Sequence, residues 1–185
     1  GIDHLREMAE PYNLDLSRVV VAGHSAGGAL ALWAAARGKV DDQSALYTPN
    51  PLPVQAVFAL APAADLEALE ERGSCGNAVG RLMGGTPAEY PERYQAASPM
   101  QLAPISVPQT LLIGGQDFVW APPGRSYYHR ALTLGTEDLR IVDLPDSGHF
   151  EMVSPSTTSW RLVMSALKET FESMTPLGGS DGQVR

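Results

Sequence analysis

The chain has 185 residues, with 13 lysines and arginines against 21 aspartates and glutamates, a formal net charge of −8. An apolar share of 44% is enough for a packed core and excludes wholesale disorder. The acidic balance argues against a dedicated nucleic-acid or anionic-membrane surface, and the single cysteine, Cys75, excludes an internal disulfide framework and a cysteine-based structural zinc site.

No apolar run reaches the ~18 residues a membrane span needs. In chain order, residues 1–12 read as the end of a helix, with Ile2, Leu5, Met8 and Ala9 at helical spacing and Pro11 closing the run. Arg18–Ala22 (RVVVA) reads as a strand buried on both faces of a parallel sheet, because no polar residue breaks it. Ala26–Arg37 is rich in alanine and leucine and predicts a helix, with Gly38 as its C-cap. Residues 41–53, with Pro49, Asn50, Pro51 and Pro53, predict a surface loop.

The same unit then recurs. Val54–Ala61 predicts a second strand, and residues 65–98 a polar, mostly helical stretch broken by glycines and prolines. Pro108–Ile113 predicts a third strand, Ser126–Leu134 a helix ending at Gly135, and Leu139–Leu144 a fourth strand. Trp160–Met174 predicts an amphipathic helix whose core stripe holds Trp160, Val163, Met164, Leu167 and Phe171. Residues 175–185 have no apolar period and predict a disordered tail. Strands alternating with helices predict an α/β fold with a mainly parallel sheet flanked by helices.

The strongest chemical signal is Gly23-His24-Ser25-Ala26-Gly27, followed by Gly28, between a strand and an alanine-rich helix. A serine at the apex of a sharp strand-to-helix turn sits in strained backbone and needs small neighbours. Gly23 and Gly27 are expected to let strand and helix pack closely around it. The helix N-terminus turns free N–H groups toward Ser25, and the Ala26 N–H is placed to stabilise an oxyanion.

Serine needs a base, and the base needs an orienting acid. The histidines are His4, His24, His129 and His149. His4 and His129 lie in predicted helices and read as surface or packing residues. His24 adjoins the serine, so its side chain should leave the turn in another direction and pack in the site wall. His149 follows the fourth strand in LPDSGHF, where loops at strand C-terminal ends gather at the rim that carries the elbow. It is the expected base, the alternative being a loop residue that caps the helix at Ser154. For the acid, Asp117 leaves the third strand directly in LLIGGQD. Asp65 is the rival, although an N-cap role explains it without catalysis. Asp143 and Asp146 stand too close to His149 in sequence for an easy approach from the side.

The strings VVVAGHSAGG, LLIGGQDFVW and SGHFEMVSP resemble the α/β-hydrolase superfamily. Within it they are most similar to the esterase branch of kynurenine formamidase and the carboxylesterases akin to hormone-sensitive lipase. The likeness runs over residues 1–174. It implies Ser25 as nucleophile, Asp117 as acid, His149 as base and the Ala26 N–H as an oxyanion donor, with no cofactor and no metal. Hormone-sensitive-lipase relatives usually carry an acidic residue where His24 stands, which favours the formamidase-like side. That family places a His-Gly-Gly type loop ahead of the elbow, and this chain has no such string. The chain therefore reads as the C-terminal portion of a longer α/β-hydrolase.

The expected activity is hydrolysis of small acyl esters or aryl formamides through an acyl-serine, with a small-molecule acyl substrate as the one expected partner and the cytoplasm as the expected location. Residues 65–98 are a candidate cap, with Leu82, Met83, Tyr90 and Tyr94 as candidate lining and Phe118 and Trp120 as candidate substrate contacts. The alternatives are a peptidase core of the prolyl-oligopeptidase type and a non-catalytic interaction module. Peptidases of that type commonly place a bulky aromatic next to the elbow serine, where this chain has Ala26, and non-catalytic relatives normally lose one of the three candidates.

Overall fold

The structure is a computed structural model that describes residues 1–174. The expected tail at 175–185 lies outside the described residues. Among these, four strands form one parallel sheet: β1 (Val20–His24), β2 (Ala56–Leu60), β3 (Gln109–Gly114) and β4 (Leu139–Leu144), in the order β1-β2-β3-β4. The helices are α1 (Leu5–Tyr12), α2 (Ala26–Ala36), α3 (Leu66–Glu71), α4 (Ser74–Met83), α5 (Pro91–Ala97), α6 (Pro99–Leu102), α7 (Ala121–Thr133) and α8 (Thr158–Ser173).

Alternation along β2 and β3 divides the core into two layers. Val57, Ala59 and Leu111 pack with Leu32 of α2 and with Tyr127 and Ala131 of α7. Phe58, Leu60 and Leu112 point the other way, against Met152 and against Val163 and Ala166 of α8. Both strands are buried at every position, and burial of each large apolar side chain stabilises the fold by about 1.5–3 kcal/mol. One buried polar cluster is internally paired: the Tyr127 hydroxyl donates to Gln109 Oε1 at 2.5 Å, and Gln109 Nε2 donates to the Ile105 carbonyl at 3.2 Å.

Several predicted boundaries move. β1 starts two residues later than its apolar run and reaches His24. It is half-buried rather than buried on both faces, because it is the end strand of the sheet and pairs only with β2 among the described residues. Gly38 is not a left-handed cap; it sits inside a 3₁₀ turn at Arg37–Lys39. Pro11 lies within the last turn of α1, which is closed instead by Asn13 at φ 52°. α7 begins at Ala121, ahead of its prediction, since Pro122 and Pro123 fit the first turn of a helix, where no intrahelical N–H bond is required. On α8 the buried line is Ser159, Val163, Ala166 and Thr170, whereas Met164 and Phe171 are 43% and 44% exposed. Of the expected stripe, Val163 is buried and Trp160 and Leu167 pack partly buried against the same core, while Met164 and Phe171 lie off the contact line.

Candidate active site

All four strands point the same way, so the loops that leave their C-terminal ends meet at one rim. Ser25 follows β1, Asp117 follows β3 and His149 follows β4.

Ser25 has φ 58° and ψ −119°, a conformation that costs a non-glycine residue about 1–3 kcal/mol and persists only where its surroundings fix it. Here they do. The Ser25 N–H donates to the Leu60 carbonyl at 2.8 Å, and the Ser25 carbonyl accepts from the N–H groups of Ala29 and Ala63, both at 3.1 Å. The turn therefore hangs on β2 on one side and on α2 on the other. Ala26 is the first residue of α2, where an N–H has no intrahelical acceptor and faces the positive end of the helix dipole.

The glycines around the turn divide differently from the expectation. A Cβ on Gly23 would stand 2.1 Å from the Gly27 carbonyl oxygen, and one on Gly28 would stand 3.0 Å from Pro62. A Cβ on Gly27 would meet nothing within 4 Å. Close packing thus requires Gly23 and Gly28. Gly27 contributes the backbone that Gly23 must clear.

Asp117 and His149 are brought together. His149 Nδ1 and Asp117 Oδ2 are 2.6 Å apart, and Asp117 is only 5% exposed. The other carboxylate oxygen accepts from the Trp120 backbone N–H at 3.1 Å. A carboxylate can only accept, so Nδ1 carries the proton and Nε2 is left as the basic nitrogen. The two loops approach so closely because Gly114 and Gly115 leave room: a Cβ on either would stand 2.6 Å from a backbone oxygen of Ser147 or Pro145. The Gln116 N–H also donates to the Ser147 carbonyl at 2.9 Å, which ties the loops together.

The imidazole of His149 is packed on several sides. Trp120 stacks on it with ring centroids 5.2 Å apart, and Phe150 meets it edge-on at 5.0 Å. His24 lies 4.5 Å away, centroid to centroid, and its Nε2 is 2.7 Å from the His149 carbonyl oxygen. Burial lowers the pKa of His24 below its ordinary 6.5. Ser25 makes no side-chain hydrogen bond to His149 among the described residues; such bonds commonly tighten only when substrate is bound.

The remaining candidates have other occupations. Asp65 caps α3, accepting from the Ala68 N–H at 3.1 Å. Asp143 pairs with Arg125, and exposed His4 pairs with Glu7. His129 packs edge-on against Tyr128. The helix after the His149 loop is capped by Thr157, not through His149 at Ser154.

An apolar groove of about 1700 Å³ opens beside Ser25. Ala29, Leu30, Leu69, Val79 and Trp120 contribute to its walls, and the 39–46 stretch and α4 continue it. Leu82 and Met83 line it as expected. Tyr90 and Tyr94 do not: Tyr94 is fully buried with its hydroxyl donating to the Gly85 carbonyl at 2.8 Å, and Tyr90 lies under the Arg93 guanidinium. Trp120 lines the groove, whereas Phe118 is 81% exposed and outside it. The sequence reading missed the bond from His24 to the His149 backbone and the stack of Trp120 on His149. The one sequence signal for either was the presence of both rings beside predicted site residues. Among the described residues no group of three His, Cys, Asp or Glu side chains is placed to hold a metal ion, and no helix is long and apolar enough to cross a membrane.

The BD-FAE family model matches residues 1–127. The chain belongs to the BD-FAE family. Its fold is that of the α/β-hydrolase superfamily. No curated protein matches the sequence. Among solved structures, this BD-FAE member is similar to the acylaminoacyl peptidase of Pyrococcus horikoshii, with TM-score 0.68 and 18% identity over 97% of this chain and 28% of the other. It is also similar to an acetyl ester-xyloside bifunctional hydrolase from Caldicellulosiruptor lactoaceticus, with TM-score 0.70 and 19% identity over 94% of this chain and 62% of the other. The propionate-bound esterase Est2 of Thermogutta terrifontis gives TM-score 0.69 and 20% identity over 96% of this chain and 64% of the other. The BD-FAE chain thus spans less than two thirds of the length of each.

Proposed function

We propose that this chain carries the nucleophile, base and acid of a serine hydrolase acting on small acyl esters or aryl formamides. The observation that carries the reading is the 2.6 Å contact between Asp117 and His149, at the rim that also holds Ser25 in strained backbone.

In this reading His149 Nε2 takes the proton from Ser25 Oγ as that oxygen bonds to the acyl carbon. The buried Asp117 carboxylate holds Nδ1–H and stabilises the imidazolium that forms. The Ala26 N–H meets the developing oxyanion. His149 then returns its proton to the leaving alcohol or amine, and the acyl-serine remains. Water attacks that ester, again giving up a proton to His149, and the acid leaves with Ser25 restored. No cofactor takes part in these steps. The apolar walls of the groove favour an acyl or aryl group without charge, and residues 65–98 act as a cap over it.

The likeness to esterases and to an acylaminoacyl peptidase supports a hydrolase of this general kind. The test is Ser25→Ala in the intact protein, with p-nitrophenyl esters, N-formylkynurenine and acyl peptides as substrates and a fluorophosphonate as label. Loss of label together with a drop of at least ~10³-fold in hydrolysis is expected. Hydrolysis that survives within about tenfold overturns the mechanism, and cleavage of acyl peptides in place of esters moves the substrate class to peptidase.

A further inference from the structure

We infer that His24 is a positioning residue for His149, acting by donating its Nε2–H to the His149 main-chain carbonyl. The inference rests on the serine-hydrolase reading above and adds a fourth side chain to it.

The contact is 2.7 Å from ring nitrogen to carbonyl oxygen, and it joins residues 125 positions apart in sequence. A carbonyl can only accept, so Nε2 of His24 must carry the hydrogen. His24 is the last residue of β1, held in register opposite Leu60 of β2. It is also the residue immediately before Ser25. The bond therefore ties the backbone of the base to the residue next to the nucleophile, across the full width of the sheet from β1 to the loop after β4. The other ties on His149 come from the β3 side: Asp117 on Nδ1 and Trp120 on the ring face. Asp117 fixes one ring nitrogen and the Gln116–Ser147 bond ties the two loops, but neither holds the His149 carbonyl itself against motion toward or away from Ser25. The His24 bond, together with ring centroids 4.5 Å apart, restrains that motion. Small misplacements of a base are costly to rate, so a restraint of this kind acts on turnover and not on substrate affinity.

Two replacements separate the donor from the ring. His24→Phe keeps an aromatic body beside His149 and removes the N–H. His24→Gln loses the ring and keeps an amide N–H near the position of Nε2. Both are compared with the wild type in the intact protein, by fluorophosphonate labelling rate and by kcat and KM on one p-nitrophenyl ester. The expected result is a fall of about tenfold or more in labelling rate and kcat for His24→Phe with KM within about twofold, and recovery to within about threefold of wild type for His24→Gln. The reverse order, with Phe tolerated and Gln impaired, shows that only ring packing matters and overturns the inference. Equal loss in both variants overturns it as well. Histidine ring ¹⁵N spectra of the wild type give a readout that depends on neither variant folding: His24 is expected as the neutral Nε2–H tautomer, and an Nδ1–H tautomer overturns the inference. A wild type that takes no label overturns the serine-hydrolase reading and this inference with it. A labelled wild type with an unchanged His24→Phe overturns this inference alone.

Discussion

Asp117 and His149 stand 32 positions apart, on loops after different strands, and meet at 2.6 Å with the carboxylate almost wholly out of water. The contact depends on backbone approaching backbone. Gly114 and Gly115 let the β3 loop press against the carbonyls of Pro145 and Ser147, and the Gln116 N–H fastens the two loops. Two further hydrogen bonds at the elbow, from Ser25 to Leu60 and from Ala63 to Ser25, bring the serine to the same rim. The sheet thus acts as a jig, and side-chain chemistry is decided by which strand end each loop leaves.

Asp117→Asn is the sharpest test of the acid. An amide at this position can donate to Nδ1, which favours the His149 tautomer with its proton on Nε2, where a base needs a lone pair. The replacement is nearly isosteric, and the loop contacts through Gln116 and the glycines are untouched. A fall of about 10³–10⁴-fold in kcat is expected, with thermal stability close to wild type. Steady-state hydrolysis alongside a melting curve checks it. A mutant within tenfold of wild type would remove Asp117 from the mechanism.

The two motif glycines that flank Ser25 should behave in opposite ways. Gly23→Ala drives a Cβ to within 2.1 Å of the Gly27 carbonyl oxygen, against backbone that has nowhere to go. A loss of about 3 kcal/mol or more is expected, or failure to fold. Gly27→Ala places its Cβ in open space within the first turn of α2, and the lower backbone entropy of alanine should stabilise the fold by about 0.5–1 kcal/mol. Urea unfolding of both variants decides the matter, and similar losses in the two would show that the turn is not packed as described.

How much of this was readable beforehand follows from which physics each feature depends on. The order of strands and helices was legible because β2 is apolar at every position and β3 carries the Leu111–Ile113 run, as a sheet covered on both faces requires. Ser25, Asp117 and His149 were legible as candidates because each lies in the segment that leaves the C-terminal end of a predicted strand. The end strand was misread: RVVVA is as apolar as a central strand, and exposure depends on neighbours that local sequence does not encode. The α8 stripe was legible at Trp160, Val163 and Leu167 and misread at Met164 and Phe171, whose size suggested core positions that the smaller Ala166 and Thr170 occupy. The partners of His24 were out of reach, since a bond to a main-chain oxygen leaves no mark on the identity of the residue that accepts it.

Trp120 is expected to affect both binding and turnover. Its ring stacks on His149 at 5.2 Å and an interplanar angle of 24°, and it also lines the groove. Trp120→Ala should lower kcat/KM for an aryl ester by about tenfold, from lost stacking and a loosened imidazole. Trp120→Phe keeps a flat apolar face and should recover most of it. The backbone N–H that caps Asp117 is present in both variants, so the ring alone is tested. Comparison of phenyl with ethyl esters separates the two contributions. A loss confined to KM on aryl substrates assigns Trp120 to the groove wall only.

Asp3 accepts from Arg37 through both carboxylate oxygens at 2.6 Å, and from the Leu52 N–H at 2.6 Å. It thereby ties the first turn of the chain to the end of α2 and to the loop before β2. The Arg37 bonds, with that of Leu52, hold the Asp3 carboxyl at about 2, against an ordinary value of 3.8. A carboxylate held low in the folded state contributes stability that is fully present above its unfolded pKa and is lost as pH falls through its folded pKa. Asp3→Asn should therefore cost about 1–2 kcal/mol at pH 7, a figure discounted for the partial exposure of the carboxylate. The buried Arg37, left without its counter-charge, accounts for much of that cost. The gap between wild type and variant should hold down to about pH 4 and close toward pH 2, where the wild-type carboxyl is itself taking up its proton. Urea unfolding of both proteins across that range measures it. A gap that stays constant with pH would mean that Asp3 acts through shape and hydrogen bonding alone, with its charge contributing nothing.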